Sequence, residues 1–388
     1  MVRIGVIGIG GMGSYHAGYL SRGEVEDAVL AAVCDIDPAR LEWARANLPA
    51  EVRRFESADA LFASHAVDAV LIATPHYQHP PLAVAAFGHG LHVLSEKPAG
   101  VYARQVREMN EAAAASGRVF GVMFNQRTNP VYQKVRELIS TGEIGEITRT
   151  TWIITDWFRT QSYYDSGSWR ATWSGEGGGV LMNQAVHQMD LWQWICGVPA
   201  RVRAFCGYGK YHRVEVEDDV TAYVEYENGA TGIFATTTGE APGTNRFEIA
   251  GDRGLIVLEK GKLGFWRLRT PRRQYIREAQ GAYDQPECWR CDVPIQGVET
   301  GHAGITRAFV QAILGRGPLL APGEEGIRSV QIINAMYLSA WTDAWAEVPV
   351  DEERFCRELQ ARIDASTFKK DGAAERILTR GGGTFGTR

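Results

Sequence analysis

Residues 1–125 alternate short apolar runs with helical patterns. The runs fall at Val2–Ile7, Val29–Cys34, Val52–Phe55, Ala69–Ile72, Leu91–Leu94 and Val119–Phe124. They are largely continuous rather than alternating, as strands covered on both faces by crossover helices must be. Helical spacing lies between them, at Gly11–Leu20, Pro38–Asn47, Pro80–Gly88 and Ala103–Ser116. This rhythm predicts an α/β unit with a doubly wound parallel sheet.

After Pro130 the pattern changes. A helix at Val131–Ser140 is followed by longer runs with period-two alternation, at Glu146–Asp156, Arg201–Tyr211, Val220–Tyr226, Ala230–Thr238, Arg246–Ala250 and Leu255–Glu259. Asn228-Gly229 between two of them is a two-residue hairpin signal, so a large, open, mainly antiparallel sheet is expected. Such a sheet often leaves one face for a partner, and a homodimer or homotetramer built through it is expected. Helical patterns at Ile305–Leu314 and Glu324–Trp345 are expected to pack back on the first unit. The predicted division is 1–125, 126–368 and a Gly-rich tail, 369–388, that is flexible or serves as an inter-subunit arm.

Composition narrows the partners. The 388 residues hold 41 Lys plus Arg against 46 Asp plus Glu, which gives no reason to expect nucleic acid or an anionic membrane. No stretch approaches the ~20 apolar residues of a membrane span, and the N-terminus enters a strand directly, so a cytoplasmic protein is expected. Cys288 and Cys291 are a close pair, but no second pair or nearby His completes a zinc site, and no metal is expected.

The first strand runs into Gly8-Ile9-Gly10-Gly11-Met12-Gly13 and then a helix. At the first strand-to-helix turn of a βαβ unit, this spacing cradles a dinucleotide pyrophosphate. Gly8 makes the turn, Gly10 admits the phosphates and Gly13 lets helix and strand approach, while the helix N-terminus supplies amides. Asp35 closes the second strand, where a carboxylate binds the adenosine ribose and repels a 2′-phosphate. NAD is therefore expected over NADP. Asp37 reads as the N-cap of the helix starting at Pro38. Thr74 and Pro75 end the fourth strand and are expected on the cofactor. His79 is placed beside them, with a structural role as the competing reading.

Lys97 follows the fifth strand, and Asn183, His187 and Asp190 follow Gly177-Gly178-Gly179. A strand-end lysine and a helix histidine can converge on one substrate hydroxyl. Spacings of four and seven residues would put Asn183, His187 and Asp190 on one helix stripe. Histidine, unperturbed near pKa ~6.5, exchanges a proton near neutrality, and a lysine stabilises alkoxide-like charge. Trp157, Tyr163, Tyr164, Trp169, Arg170 and Trp173, with Trp152 before them, are sugar-stacking candidates, and core packing is the alternative reading of each. Trp169 and Arg170 are also assigned to the cofactor side. Asn125 and Arg127 end the sixth strand, the first expected on cofactor and the second near substrate. His302 could reach the same pocket.

Gly8–Gly13, Thr74-Pro75 with His79, Glu96-Lys97-Pro98, and Gly177–Gly179 followed by Asn183 and His187 together resemble the Gfo/Idh/MocA oxidoreductases. The resemblance implies a Rossmann domain, an α/β domain with an open sheet used for oligomerisation, NAD(P), and a sugar, polyol or inositol substrate. It places Lys97 beside the nicotinamide and the substrate oxygen, Glu96 near the nicotinamide riboside, and His187 as acid/base. Asn183 departs from the aspartate many members carry and is assigned as an orienting ligand. The expected activity is oxidation of a secondary hydroxyl. The alternative is a glycosidase of the same fold that retains NAD and uses transient oxidation and elimination.

Overall fold

Strands with no polar face need cover on both sides, and the first third of the chain supplies it with helices at the crossovers. In the computed structural model, which describes residues 1–370, strands β1 (Val2–Ile7), β2 (Ala28–Cys34), β3 (Arg53–Phe55), β4 (Ala69–Ile72), β5 (His92–Ser95) and β6 (Phe120–Val122) form a parallel sheet. Its order is β3-β2-β1-β4-β5-β6. Helices α1 (Gly11–Ser21), α2 (Pro38–Asn47), α3 (Ala58–Ala63), α4 (His79–Gly88) and α5 (Ala103–Ser116) make the crossovers. Strand order reverses between β1 and β4, so a crevice opens beyond their C-terminal ends.

The sixth strand is shorter than its apolar run. Phe124 N donates to Val122 O (2.8 Å), a tight turn that ends the ladder before a 3₁₀ turn at Asn125–Thr128. Helix α3 escaped the hydrophobic pattern because it spans little more than one turn, though Ser57 caps it at Ala60 N (3.2 Å).

After α6 (Pro130–Ser140) come β7 (Ile147–Ile154), α7 (Gln161–Tyr164), α8 (Val186–Cys196), β8 (Arg201–Tyr208), β9 (Glu217–Glu225), β10 (Thr231–Thr237) and β11 (Asn245–Gly251). Next are β12 (Gly254–Glu259), β13 (Lys262–Leu268), α9 (Arg272–Glu278), β14 (Cys288–Cys291), α10 (Gly301–Ile313), α11 (Gly326–Thr342), β15 (Ala346–Glu347) and α12 (Glu352–Ala365). The nine strands form one sheet in the order β14-β13-β12-β11-β7-β10-β9-β8-β15. All its pairs are antiparallel except β7 with β10. Strands β13 and β14 extend the sheet beyond the expected runs. The signal for β13 was Lys260-Gly261, both at positive φ (50° and 72°), a hairpin turn after β12.

One face of this sheet carries the core. Trp152 stacks on Phe247 with ring centroids 4.2 Å apart, and Trp192 of α8 stacks on Phe234. Val220, Ala222 and Val224 point inward, as their alternation predicts, while Phe205, Tyr223, Ile233 and Ile153 are exposed on the other face. Helix α10 packs on α1 and β5, and α11 lies between α5 on one side and α8 and β8 on the other. Buried Asn334 of α11 accepts from Ala103 N and donates to Val101 O, both at 2.9 Å. The expected tail arm lies, beyond Lys370, outside the described residues.

Candidate functional site

The glycine loop is set by close approach. A Cβ on Gly13 would come within 1.7 Å of Gly8 O, and Gly8 itself has φ 82°. Around Gly10, by contrast, nothing lies within 4 Å of a Cβ position. The first amides of α1 have no intrahelical partner and face this gap. Ile9 turns its side chain inward and is fully buried, so only its backbone frames the loop. Asp35 accepts from Ile9 N (2.7 Å) and Asp37 N (2.9 Å), which ties the second strand to the loop. Asp37 caps α2 at Ala39 N (2.9 Å). Arg40, unanticipated, donates to Ile9 O and to Ser14 Oγ (both 2.7 Å) beneath the loop. No sequence pattern marks a helix arginine for that duty.

Thr74 Oγ1 and Asn125 Oδ1, at the ends of the fourth and sixth strands, are buried with no hydrogen-bond partner among the described residues. Orphaned polar atoms of this kind are satisfied by ordered water or by a ligand. His79 differs: its Nδ1 meets Pro98 O (2.8 Å) and its Nε2 meets Thr74 O (2.7 Å). Burial favours the neutral ring, which donates to one of these carbonyls while its other nitrogen lies against the second, so the imidazole sits between the Thr74 and Pro98 turns in place of the expected cofactor contact.

Lys97 leaves β5 with its Nζ donating to Asn183 O (3.0 Å). Burial lowers its pKa, opposed by Glu96 and Glu176, while Arg170 and Arg159 lower it further. His187 is buried in the first turn of α8, and its pKa falls well below the usual value through burial and then through Lys97 nearby. A weakened ammonium and a neutral imidazole thus share one site. Asn183 precedes the helix instead of sharing its stripe, because α8 starts at Val186.

Glu96 has partners for both oxygens, with Oε2 accepting from Lys97 N (3.1 Å). Its Oε1 meets His16 Nε2 (2.7 Å), His16 Nδ1 meets Tyr19 OH (2.8 Å), and Tyr19 OH meets Thr306 Oγ1 (2.7 Å). Burial alone would raise the Glu96 pKa, but the bond and charge of His16 hold it down to about 2. This buried chain joins β5, α1 and α10 behind Lys97. His302 packs edge-on to His16, with its pKa pushed by burial down to about 4.

Arg127 and Asp190 were expected against substrate. They bind each other instead, through Nε to Oδ2 (2.8 Å) and Nη2 to Oδ1 (2.6 Å), both fully buried. Arg127 also pairs with Glu325 and lies over Phe124 and Trp194. Two buried ions must be paired, and here each uses the other.

The aromatic segment divides. Trp152 and Trp173 belong to the core, and Tyr164 is buried with its OH on Thr238 Oγ1 (2.7 Å). Tyr163, half-buried, accepts from Arg170 Nη1 and Gln184 Nε2, both at 3.0 Å. Trp169 meets His76 edge-on at 5.4 Å, and Trp157 lies under the Arg159 guanidinium. Trp157 is nearly as buried as Trp173 and belongs with the core, whereas Tyr163 and Trp169 are half-buried. Lys370 reaches back to the same segment and donates to Tyr164 O (2.6 Å) and Gly167 O (2.7 Å).

The Gly177–Gly179 turn hangs on a carboxylate that the sequence did not mark. Glu217 accepts from Gly179 N, Leu181 N and Tyr337 OH. A Cβ on Gly179 would sit 1.9 Å from Glu217 O. Glu176, also unmarked, is buried beside Asn183. The CxxC pair lies on β14, where alternation sends residues three apart to opposite faces. Among the described residues no cluster of His, Cys, Asp or Glu could hold a metal, and no helix is long and apolar enough to cross a membrane.

Comparison with known proteins gives two matching families. Residues 2–124 match the oxidoreductase family, NAD-binding Rossmann fold, and residues 132–257 match the GFO/IDH/MocA C-terminal domain. Levoglucosan dehydrogenase of Pseudarthrobacter phenanthrenivorans is 28% identical over a 396-residue alignment covering 90% of this chain and 98% of that protein. The scyllo-inositol 2-dehydrogenase (NAD(+)) of Bacillus subtilis is 26% identical over 269 residues, 66% of this chain and 73% of that one. The WlbA dehydrogenase from Bordetella pertussis, solved in complex with NADH and UDP-GlcNAcA, has a TM-score of 0.76 at 27% identity, covering 90% of this chain and 99% of that chain.

Proposed function

Since the chain belongs to the GFO/IDH/MocA family of NAD-binding oxidoreductases acting on CH–OH groups, we propose that it oxidises a secondary hydroxyl of a sugar, sugar derivative or inositol, with Lys97 and His187 as the reacting pair. The observation that carries this reading is their convergence, half-buried Lys97 after β5 and buried His187 in the first turn of α8, where each has its pKa drawn down and Lys97 is among the causes for His187. The open space at Gly10 and the orphaned Thr74 and Asn125 atoms fit a dinucleotide. NAD, when bound, supplies the hydride acceptor. Lys97 holds the substrate oxygen and opposes the negative charge that develops on it. His187, neutral at physiological pH, takes the hydroxyl proton. Tyr163 and Trp169, both half-buried, are the rings left for the substrate wall, and Asp35 favours NAD over NADP.

Residues 1–125 would then hold the dinucleotide, and 126–368 would supply the substrate side and the oligomer surface. Incubating the protein with NAD and a panel of polyols, inositols and monosaccharides should build up NADH for at least one of them. Glycoside cleavage with no net NADH would instead favour the NAD-retaining glycosidase.

A further inference from the structure

Glu176 stands out among the buried acids because it faces the half-exposed part of the site. It is 2% exposed. Its Oε2 accepts from Ala171 N (2.5 Å), and its Oε1 accepts from the Asn183 side-chain amide. The main-chain carbonyl of Asn183 takes the Lys97 ammonium at 3.0 Å. One residue therefore links the ammonium to a buried carboxylate. Glu176 O also receives His76 Nδ1 (3.0 Å), which anchors the carboxylate's own backbone to the Thr74 side of the crevice.

We propose that Glu176 is a positioning residue for this centre: it fixes the Asn183 carboxamide so that its oxygen, not its nitrogen, is offered to a substrate hydroxyl, and it supplies the negative charge that keeps Lys97 an ammonium. The inference rests on the Lys97–His187 reading and adds to it. A carboxylate only accepts, and both of its oxygens here meet N–H groups. The Asn183 nitrogen is thereby committed to Glu176, which leaves Oδ1 as the end free to take a hydroxyl proton. Burial, Arg159 and Arg170 all push Lys97 toward its neutral form, and Glu176 and Glu96 are the groups that resist. Glu96 is already paired with His16, whereas Glu176, whose own pKa burial raises, is drawn toward the charged form by Arg170, by its hydrogen bonds from Asn183 and Ala171 N, and by Lys97.

Paired substitutions at 176 and 183 reverse the polarity of this arrangement. In Glu176→Gln the side-chain oxygen can still serve Ala171 N, but its NH2 then meets the Asn183 NH2, and Asn183 must flip. In Asn183→Asp two carboxylates face each other. In the double variant the Gln NH2 donates to the new Asp, Ala171 N keeps its acceptor, and a negative charge again lies beside Lys97. The test is a cycle of the two single variants and the double, with NAD binding, melting temperature and kcat/KM against pH measured for each. Expected are losses of about tenfold or more in each single variant, with the alkaline limb of Glu176→Gln moved to lower pH, and recovery to within about threefold in the double. Additive losses in the double, or an alkaline limb unmoved in Glu176→Gln, would overturn the proposal. If Lys97→Met keeps its turnover, the parent reading fails; if Lys97→Met is inactive while the cycle is additive, only the role of Glu176 fails.

Discussion

Lys97 and His187 lie where burial disfavours charge, and the Lys97 ammonium disfavours the protonated form of His187 as well. The proposed oxidation needs His187 neutral and Lys97 charged. Activity should rise with pH through a limb below the ordinary histidine value of 6.5 and fall through one below the ordinary lysine value of 10.5. The environment thus moves the limb anticipated near neutrality to lower pH, leaving kcat/KM flat around pH ~7. A kcat/KM profile still climbing above that point would count against His187. Replacing Lys97 by Met should cost about a hundredfold or more in turnover with NAD affinity nearly kept, checked by NADH fluorescence titration. His187→Ala should bind NAD and lose the acid limb.

Asp35 carries two duties at this scale. It accepts from Ile9 N and Asp37 N, so Asp35→Ser should narrow the preference for NAD over NADP and also weaken NAD itself, as the loop loses its tether. Calorimetric titration with both dinucleotides separates the two effects. NADP binding as tightly as NAD in the unaltered protein would remove Asp35 from cofactor choice.

Among the elements, the turn from Gly177 to Asn183 is held from outside. Burial raises the Glu217 carboxyl to about 7, against the pull of the Leu181 and Gly179 amides and Tyr337 OH. A carboxyl raised on folding contributes its full stability below the unfolded value of 4.5 and loses it as pH rises through 7. Thermal melts should show that slope between those values, and Glu217→Gln should abolish it. The same variant sets an NH2 against the turn's N–H groups and should cost about 1–3 kcal/mol. An unchanged melting temperature at low and neutral pH would show that the turn does not depend on this carboxyl.

The elements were legible where the signal is local. Apolar runs marked the parallel strands, Gly8–Gly13 marked the first turn, and Asn228-Gly229 marked the hairpin of β9 and β10. What could not be read is which buried polar group finds which partner. His16 meets Glu96 across 80 residues, and Arg127 meets Asp190 across 63. Nothing in periodicity says that Asp190 turns toward an arginine and away from a sugar. The stripe drawn through Asn183, His187 and Asp190 failed for a related reason: helical spacing was extended through a turn that a distant carboxylate, Glu217, holds open.

For the whole molecule, the exposed face of the nine-stranded sheet carries Phe205, Tyr223, Ile233 and Ile153. Patches of this kind on a wide sheet mark association surfaces, and we propose that a second copy covers this one in a homodimer or homotetramer. Sedimentation should give a dimer or larger at micromolar concentration, and Tyr223→Glu with Ile233→Glu should shift it toward monomer. A wild-type monomer would refute the assembly.

The position of β7 bears on how the chain is made as well as on what it becomes. It lies in the middle of the sheet, yet its neighbours are β10 and β11: Arg149 waits for Thr231 and Ala250. The parallel sheet, by contrast, draws all its strands from the first 122 residues. As the polypeptide emerges in order, one half can close while Ile147–Ile154 still presents two unpaired edges, and closing so long a loop is slow. Until residue 251 has been synthesised, that strand is the part of the molecule most open to pairing with the wrong chain.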